Sequence, residues 1–177
     1  MQIKVMNYFK RRINDNFSSL FSLLYKLKVR AAYLTALSFI FGLLAVYFLF
    51  ESNGLFVVFG LLHMIFDIFD GSLARSTGTV TRFGAYFDNG SDRTIVLLML
   101  LKSFIYFDSY WILLIILVFV LHHLVFISKK LDCPVVYSRS VVLMLYFFQF
   151  YYVGYVVVGV FSLYGLLKQI KSFFSKA

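Results

Sequence analysis

An all-α integral membrane protein is the fold class this sequence predicts: six transmembrane helices preceded by an amphipathic surface helix. Three observations predict it. The chain of 177 residues is 62% hydrophobic and only 14% charged, with a mean hydropathy of +0.87, a balance foreign to soluble globules. Its apolar residues fall into successive runs of about 20, the length that crosses a hydrocarbon core. Its Lys and Arg gather at both ends and in one internal loop, as the loops on the cytoplasmic side of a membrane protein do.

Taken in order, residues 1–30 alternate Ile3, Met6, Phe9, Ile13, Phe17, Leu20, Phe21 and Leu24 with basic side chains. Spacings of three and four give one apolar face, so a helix lying on the membrane surface is expected. The first span covers roughly 31–50 and stops at "ESNG"; the second covers roughly 55–75. "STGTVTR" (76–82) reads as a short polar turn, followed by a third span over roughly 84–106 that "FDSY" closes. The fourth runs over roughly 110–128, and "SKKLDCP" after it is a basic loop with the single proline, Pro134. The stretch of about 135–167 is too long for one span, and a hairpin of two short helices turning near "FYYVG" accommodates it. An even count of spans returns the basic C-terminus to the side of the basic N-terminus; five spans with one long tilted helix is the alternative. Residues 31–177 are thus expected to form the six-helix transmembrane domain.

The net charge of +9 raises the question of nucleic acid, but its distribution answers it. Lys4, Lys10, Arg11, Arg12, Lys26, Lys28 and Arg30 precede the first apolar run, while Lys168, Lys171 and Lys176 follow the last. Orientation and attraction to anionic headgroups explain such ends, and nucleic-acid binding is excluded. Both termini are expected on the cytoplasmic side. No cleavable signal is expected either, because the first 30 residues are basic and lack a small-residue cleavage site. Cys133 is the single cysteine, which rules out an intrachain disulfide.

Of the eight acidic residues, Asp67, Asp70, Asp88 and Asp92 all fall within predicted spans. Asp67 and Asp70 are three apart and Asp88 and Asp92 four apart, so each pair shares a helix face. A hairpin about the 76–82 turn brings the pairs to matching depth, Asp70 and Asp88 roughly 7 Å from the turn and Asp67 and Asp92 roughly 12–14 Å. One cluster of four carboxylates is the expectation. In a low-dielectric setting either some stay protonated or cations neutralise them. Oxygen donors, with no His or Cys in the motif, favour Mg²⁺, Mn²⁺ or Ca²⁺ over zinc. Two divalent cations would balance four charges and clamp a phosphate. Arg75, Arg82 and Arg93 flank the cluster and suit phosphate binding, while Gly71, Ala74 and Gly84 leave room for a ligand or for close helix contact. The rival class is a cation or proton transporter, since acids inside membranes also mark ion paths. Confinement of the four acids to one hairpin speaks against it. His63, four residues before Asp67, reads first as a hydrogen-bonded helix-contact histidine. His122 and His123 are adjacent, hence on different faces, and make a poor metal pair.

Residues 67–92 in full read Asp-x2-Asp-Gly-x2-Ala-Arg-x8-Gly-x3-Asp-x3-Asp. This pattern resembles, at every defined position, the signature of the CDP-alcohol phosphotransferase family of membrane enzymes. The resemblance implies transfer of a substituted phosphoryl group from a CDP-linked alcohol to an acceptor hydroxyl, with release of CMP. It further implies that Asp67, Asp70 and Asp88 ligate metal, and that Asp92 is the general base and also touches a metal. Gly71, Ala74 and Arg75 would then line the cytidine diphosphate site, and Arg93 and Arg139 are candidates for an acceptor phosphate. A CDP-lipid donor carrying diacylglycerol or archaeol, a small polar acceptor and a homodimer complete the implied partners. "VVYSRS" (135–140) and "SDR" (91–93) are similar to stretches of inositol-phosphate-using members. Inositol phosphate is therefore the first expectation for the acceptor, with glycerol 3-phosphate or serine as alternatives.

Overall fold

The computed structural model describes residues 22–24, 26–129 and 138–174. Most of the expected surface helix over 1–30, and the basic loop with Cys133 and Pro134, lie outside the described residues. From Ala31 onward the helices are α1 (Ala31–Phe48), α2 (Asn53–Ser76), α3 (Arg82–Phe107), α4 (Tyr110–Lys129), α5 (Ser138–Phe147) and α6 (Tyr151–Phe174). No strand occurs among the described residues.

Three of these helices are long and apolar enough to cross a membrane: α1, α2 and the Tyr151–Lys171 part of α6. Of the others, α3 carries Arg82, Asp88, Asp92 and Arg93 in its first half, which leaves Thr94–Phe107 as its apolar part, and α5 has only 10 residues. In α4 the described side chains give an apolar stretch over Tyr110–Val125, and the sequence stays apolar through Phe126 and Ile127. Three spans are thus shown among the described residues, and the six helices stand where the apolar runs lie.

Local chemistry sets the boundaries. At the end of α2, Gly78 takes φ +65°, a left-handed conformation open to a residue without Cβ. It lets the Thr79 N–H reach the Ala74 carbonyl at 3.0 Å and the Gly78 N–H reach that of Arg75 at 3.4 Å. Thr81 then starts α3, its Oγ1 accepting the Gly84 N–H at 3.0 Å as an N-cap. The predicted turn at 76–82 is thus a cap joined to a cap. The C-terminal stretch also breaks into two helices, so the single tilted helix is set aside. There Gln149 takes φ 62°, and the Phe150 N–H donates to the Leu145 carbonyl at 2.8 Å. The halves are not two short helices as expected: α5 has 10 residues and α6 has 24. The turn at 148–150 stands early in the apolar run, and no breaker follows it before the basic end.

The chain divides into two compact units. The first comprises residues 1–45 and 58–91, hence most of α1 and α2 and the opening turns of α3. Its small core joins Leu34 and Leu73 with Leu24, Val29, Ala31, Phe66 and Phe69. Phe41 stacks on Phe66 with centroids 5.3 Å apart and on Phe59 at 6.3 Å. A reciprocal polar clamp ties α1 to α2. Ser38 Oγ donates to the His63 carbonyl at 2.9 Å, and His63 Nδ1 stands 3.0 Å from the Ser38 carbonyl. Both residues are buried, and without water such groups must find partners inside the protein. His63 is the helix-contact histidine that its place in the sequence suggested.

The second unit comprises residues 46–57 and 92–177. Its core is built from Ile95, Met99 and Leu100 of α3, Ile112 and Phe119 of α4, Leu143 and Tyr146 of α5, and Tyr155 and Val158 of α6. Helix α6 packs along both α4 and α5. Glycines make the approach possible. A Cβ on Gly154 would stand 2.5 Å from Tyr146 Cε1, and one on Gly159 would stand 3.4 Å from Ile115. Lys102 reaches its charge out of the apolar part of α3 to Glu51, 3.6 Å away, and to the Tyr47 carbonyl. Around it Phe50 stacks on Tyr106 at 4.3 Å, and Tyr110 and Trp111 are almost fully exposed. Such a belt of rings suits the interface between lipid and water.

Candidate functional site

The site forms on the α2–α3 hairpin of the first unit. Helical spacing puts Asp67 and Asp70 on one face of α2, and the capped turn fixes α3 so that Asp88 faces them. One carboxylate oxygen from each of Asp67, Asp70 and Asp88 lies within 4.8 Å of the others. Asp70 is 5% exposed, and the other two are half-buried. Asp92, expected as the fourth member, stands one turn further along α3, half-buried, and is not part of this group of three.

Three carboxylates so close repel one another. At an effective dielectric of about 20 each ionised pair would cost on the order of 3.5 kcal/mol at that separation. The donor set fits a hard divalent cation. All the candidate atoms are oxygens, and a modest inward movement would bring the three to about 2.1 Å from one Mg²⁺. No nitrogen or sulfur ligand belongs to the group, which argues against zinc.

Arg75 lies on the same helix as Asp67 and Asp70, near its end. Its guanidinium folds back over Gly71, 3.0 Å from where a Cβ would be, and Nη2 donates to Ser72 Oγ at 3.2 Å. The space that Gly71 leaves is thus filled by the arginine. Ala74 is half-buried, and Arg82 is exposed at the start of α3. Arg93 belongs to the second unit, half-buried and within electrostatic reach of His122 and His123. His122 is buried against Gly165 of α6, while His123 Nδ1 lies 2.6 Å from the Phe119 carbonyl. Neither joins the group of three acids, in line with the adjacency of the two rings. Arg139 lies in the first turn of α5, and its side chain is outside the described residues.

Sequence reasoning did not find Ser72 or Ser38. Ser72 lies three residues before Arg75, a spacing that marks neighbours on a helix. No local pattern marks Ser38, because its partner comes from another helix.

The profile of the CDP-alcohol phosphatidyltransferase family matches residues 28–170 of this chain. Among curated proteins, the CDP-diacylglycerol--glycerol-3-phosphate 3-phosphatidyltransferase of Wigglesworthia glossinidia brevipalpis is 33% identical over 87 residues. The aligned part is 48% of this chain and 48% of that protein, so the match spans about half the length of the relative.

Proposed function

The chain belongs to the CDP-alcohol phosphatidyltransferase family, and on that premise we propose that it transfers a phosphatidyl group from CDP-diacylglycerol to a hydroxyl of glycerol 3-phosphate, releasing CMP. The observation that carries the chemistry is the meeting of Asp67, Asp70 and Asp88 within 4.8 Å at the residues of the family pattern. The relative's glycerol 3-phosphate favours that acceptor over the inositol phosphate first expected.

In this reading Asp67, Asp70 and Asp88 hold divalent cation, Mg²⁺ or Mn²⁺. Bound there, the cation supplies charge neutralisation for the diphosphate and for the leaving CMP. Arg75, held over Gly71 and Ser72, donates its guanidinium hydrogen bonds to the diphosphate oxygens in a bidentate fork. Asp92 accepts the proton of the acceptor hydroxyl as its oxygen bonds to phosphorus and the bond to CMP breaks. Arg93, the next residue, faces the acceptor's own phosphate. Alignment of hydroxyl, phosphorus and leaving group is the larger share of such catalysis. The active site and both termini lie on the cytoplasmic side, where the basic residues collect.

"VVYSRS" and "SDR" keep inositol phosphate as the second reading. Purified protein in detergent, given CDP-diacylglycerol, Mg²⁺ and each acceptor separately, decides between them by CMP release and product mass. Release with glycerol 3-phosphate, abolished by chelator, is expected. Transfer to inositol phosphate alone would replace the acceptor assignment, and no CMP release with any acceptor would overturn the proposal.

A further inference from the structure

Within the first unit, the seam between α1 and α2 brackets two of the three converging carboxylates. Ser38 stands in a row of small buried residues on α1, with Thr35, Gly42 and Ala45 at spacings of three and four, a row that lets another helix come close. Its partner His63 is 1% exposed and lies four residues before Asp67, on the same face of α2. The Ser38 carbonyl only accepts, so the His63 ring carries a proton on Nδ1 and donates it across 3.0 Å. Ser38 Oγ, 2.8 Å from that nitrogen, gives its own proton to the His63 carbonyl at 2.9 Å. Further along α2, Phe66 stacks on Phe41, and Leu73 packs with Leu34. Contacts with α1 thus extend from one turn before Asp67 to one turn past Asp70.

Apolar contacts are non-directional and let a helix roll, whereas hydrogen bonds weaken steeply when misaligned. Of the contacts named on this seam, the Ser38–His63 pair is the one that resists a roll of α2 about its axis. Carboxylate oxygens about 5 Å from that axis travel about 0.9 Å for each 10° of roll. Coordination distances tolerate only about 0.2 Å, and the three acids start from oxygens up to 4.8 Å apart. We propose that Ser38 and His63 are positioning residues for the metal site, locking the roll of α2 so that Asp67 and Asp70 face Asp88. This rests on the divalent-cation reading given above. Neither residue is a ligand: α1 sets the affinity for the cation through α2.

Mn²⁺ titration of the purified protein in detergent, followed by the EPR signal of the free ion, is the test. A misfolded fraction lowers the number of sites, whereas lost positioning weakens the dissociation constant of the sites that remain. Ser38→Ala is expected to weaken Mn²⁺ binding about tenfold, the lower end of what the outer partners of metal ligands cost when removed. His63→Leu is expected to do the same. His63→Asn, whose Nδ2 stands near the place of Nδ1 and donates to the Ser38 carbonyl, should stay within about threefold of native. Gly154→Ala, which strains the second unit, is the control: its unfolding midpoint falls and its Mn²⁺ affinity should not. Native affinity in both Ser38→Ala and His63→Leu overturns the assignment and leaves a clamp that only stabilises. Equal weakening in His63→Asn and His63→Leu also overturns it, because the hydrogen bond would then not matter. Absence of Mn²⁺ binding by the native protein removes the divalent-cation reading itself.

Discussion

Replacing Asp70 by Asn removes one charge from the three converging carboxylates and keeps the side chain's shape. The magnitude follows from the spacing. With oxygens up to 4.8 Å apart, a central divalent ion lies about 2.8 Å from each and gains about 12 kcal/mol per carboxylate at an effective dielectric of about 20. The same charge costs about 3.5 kcal/mol against each of its two neighbours. The neighbours repel it with or without the ion, so that term cancels from binding; up to about 12 kcal/mol of ion binding is lost before solvation is counted, and ion affinity should fall on the order of a thousandfold or more. Stability without metal should move the other way, because the substitution relieves repulsion at a residue 5% exposed. Each kcal/mol of relief raises the unfolding midpoint of a chain this size by about 2–4 °C. The assay is thermal unfolding in detergent, with chelator and then across a Mg²⁺ titration. Asp70→Asn should unfold at a higher temperature than the native protein in chelator and at a lower one in saturating Mg²⁺. A variant that is less stable in chelator and equally responsive to Mg²⁺ would refute the reasoning.

Asp92→Asn should abolish CMP release while the Mg²⁺-dependent rise in unfolding temperature persists, because Asp92 is outside the group of three; loss of that rise would make it chiefly a metal ligand. Ser38→Ala removes the donor to the His63 carbonyl and should cost about 1–3 kcal/mol, read as a lower unfolding midpoint that Ser38→Thr partly restores. Gly78→Ala should destabilise by about 1 kcal/mol at φ +65° and Gln149→Gly should stabilise by a similar amount at φ 62°, opposite shifts from two turns of the same kind. Gly154→Ala drives a methyl to 2.5 Å from Tyr146 Cε1 and should cost about 1–3 kcal/mol by overpacking.

The positions of the helices are legible because they depend on short-range chemistry. Apolar runs, "STGTVTR" with its glycine and the cap at Thr81 act within a few residues, so the α2–α3 hairpin could be drawn in advance. The i,i+3 spacing of Asp67 and Asp70, folded back upon Asp88, likewise determines that these three acids meet. Gln149 shows the limit of that reasoning. Several residues along this apolar run could have turned left-handed, and packing of α5 and α6 on each other selects Gln149, so the lengths of 10 and 24 residues were not foreseen.

Contacts between helices were decided only in three dimensions. Ser38 and His63 are 25 residues apart, and neither announces the other. His122 rests on Gly165 because α4 and α6 pack along each other. Asp92 shares a face of α3 with Asp88, and it lies outside the group that meets within 4.8 Å. A sequence specifies faces and caps through interactions a few residues long. Which faces meet depends on side-chain volumes and polar satisfaction summed over several helices, and no window along the chain contains that sum.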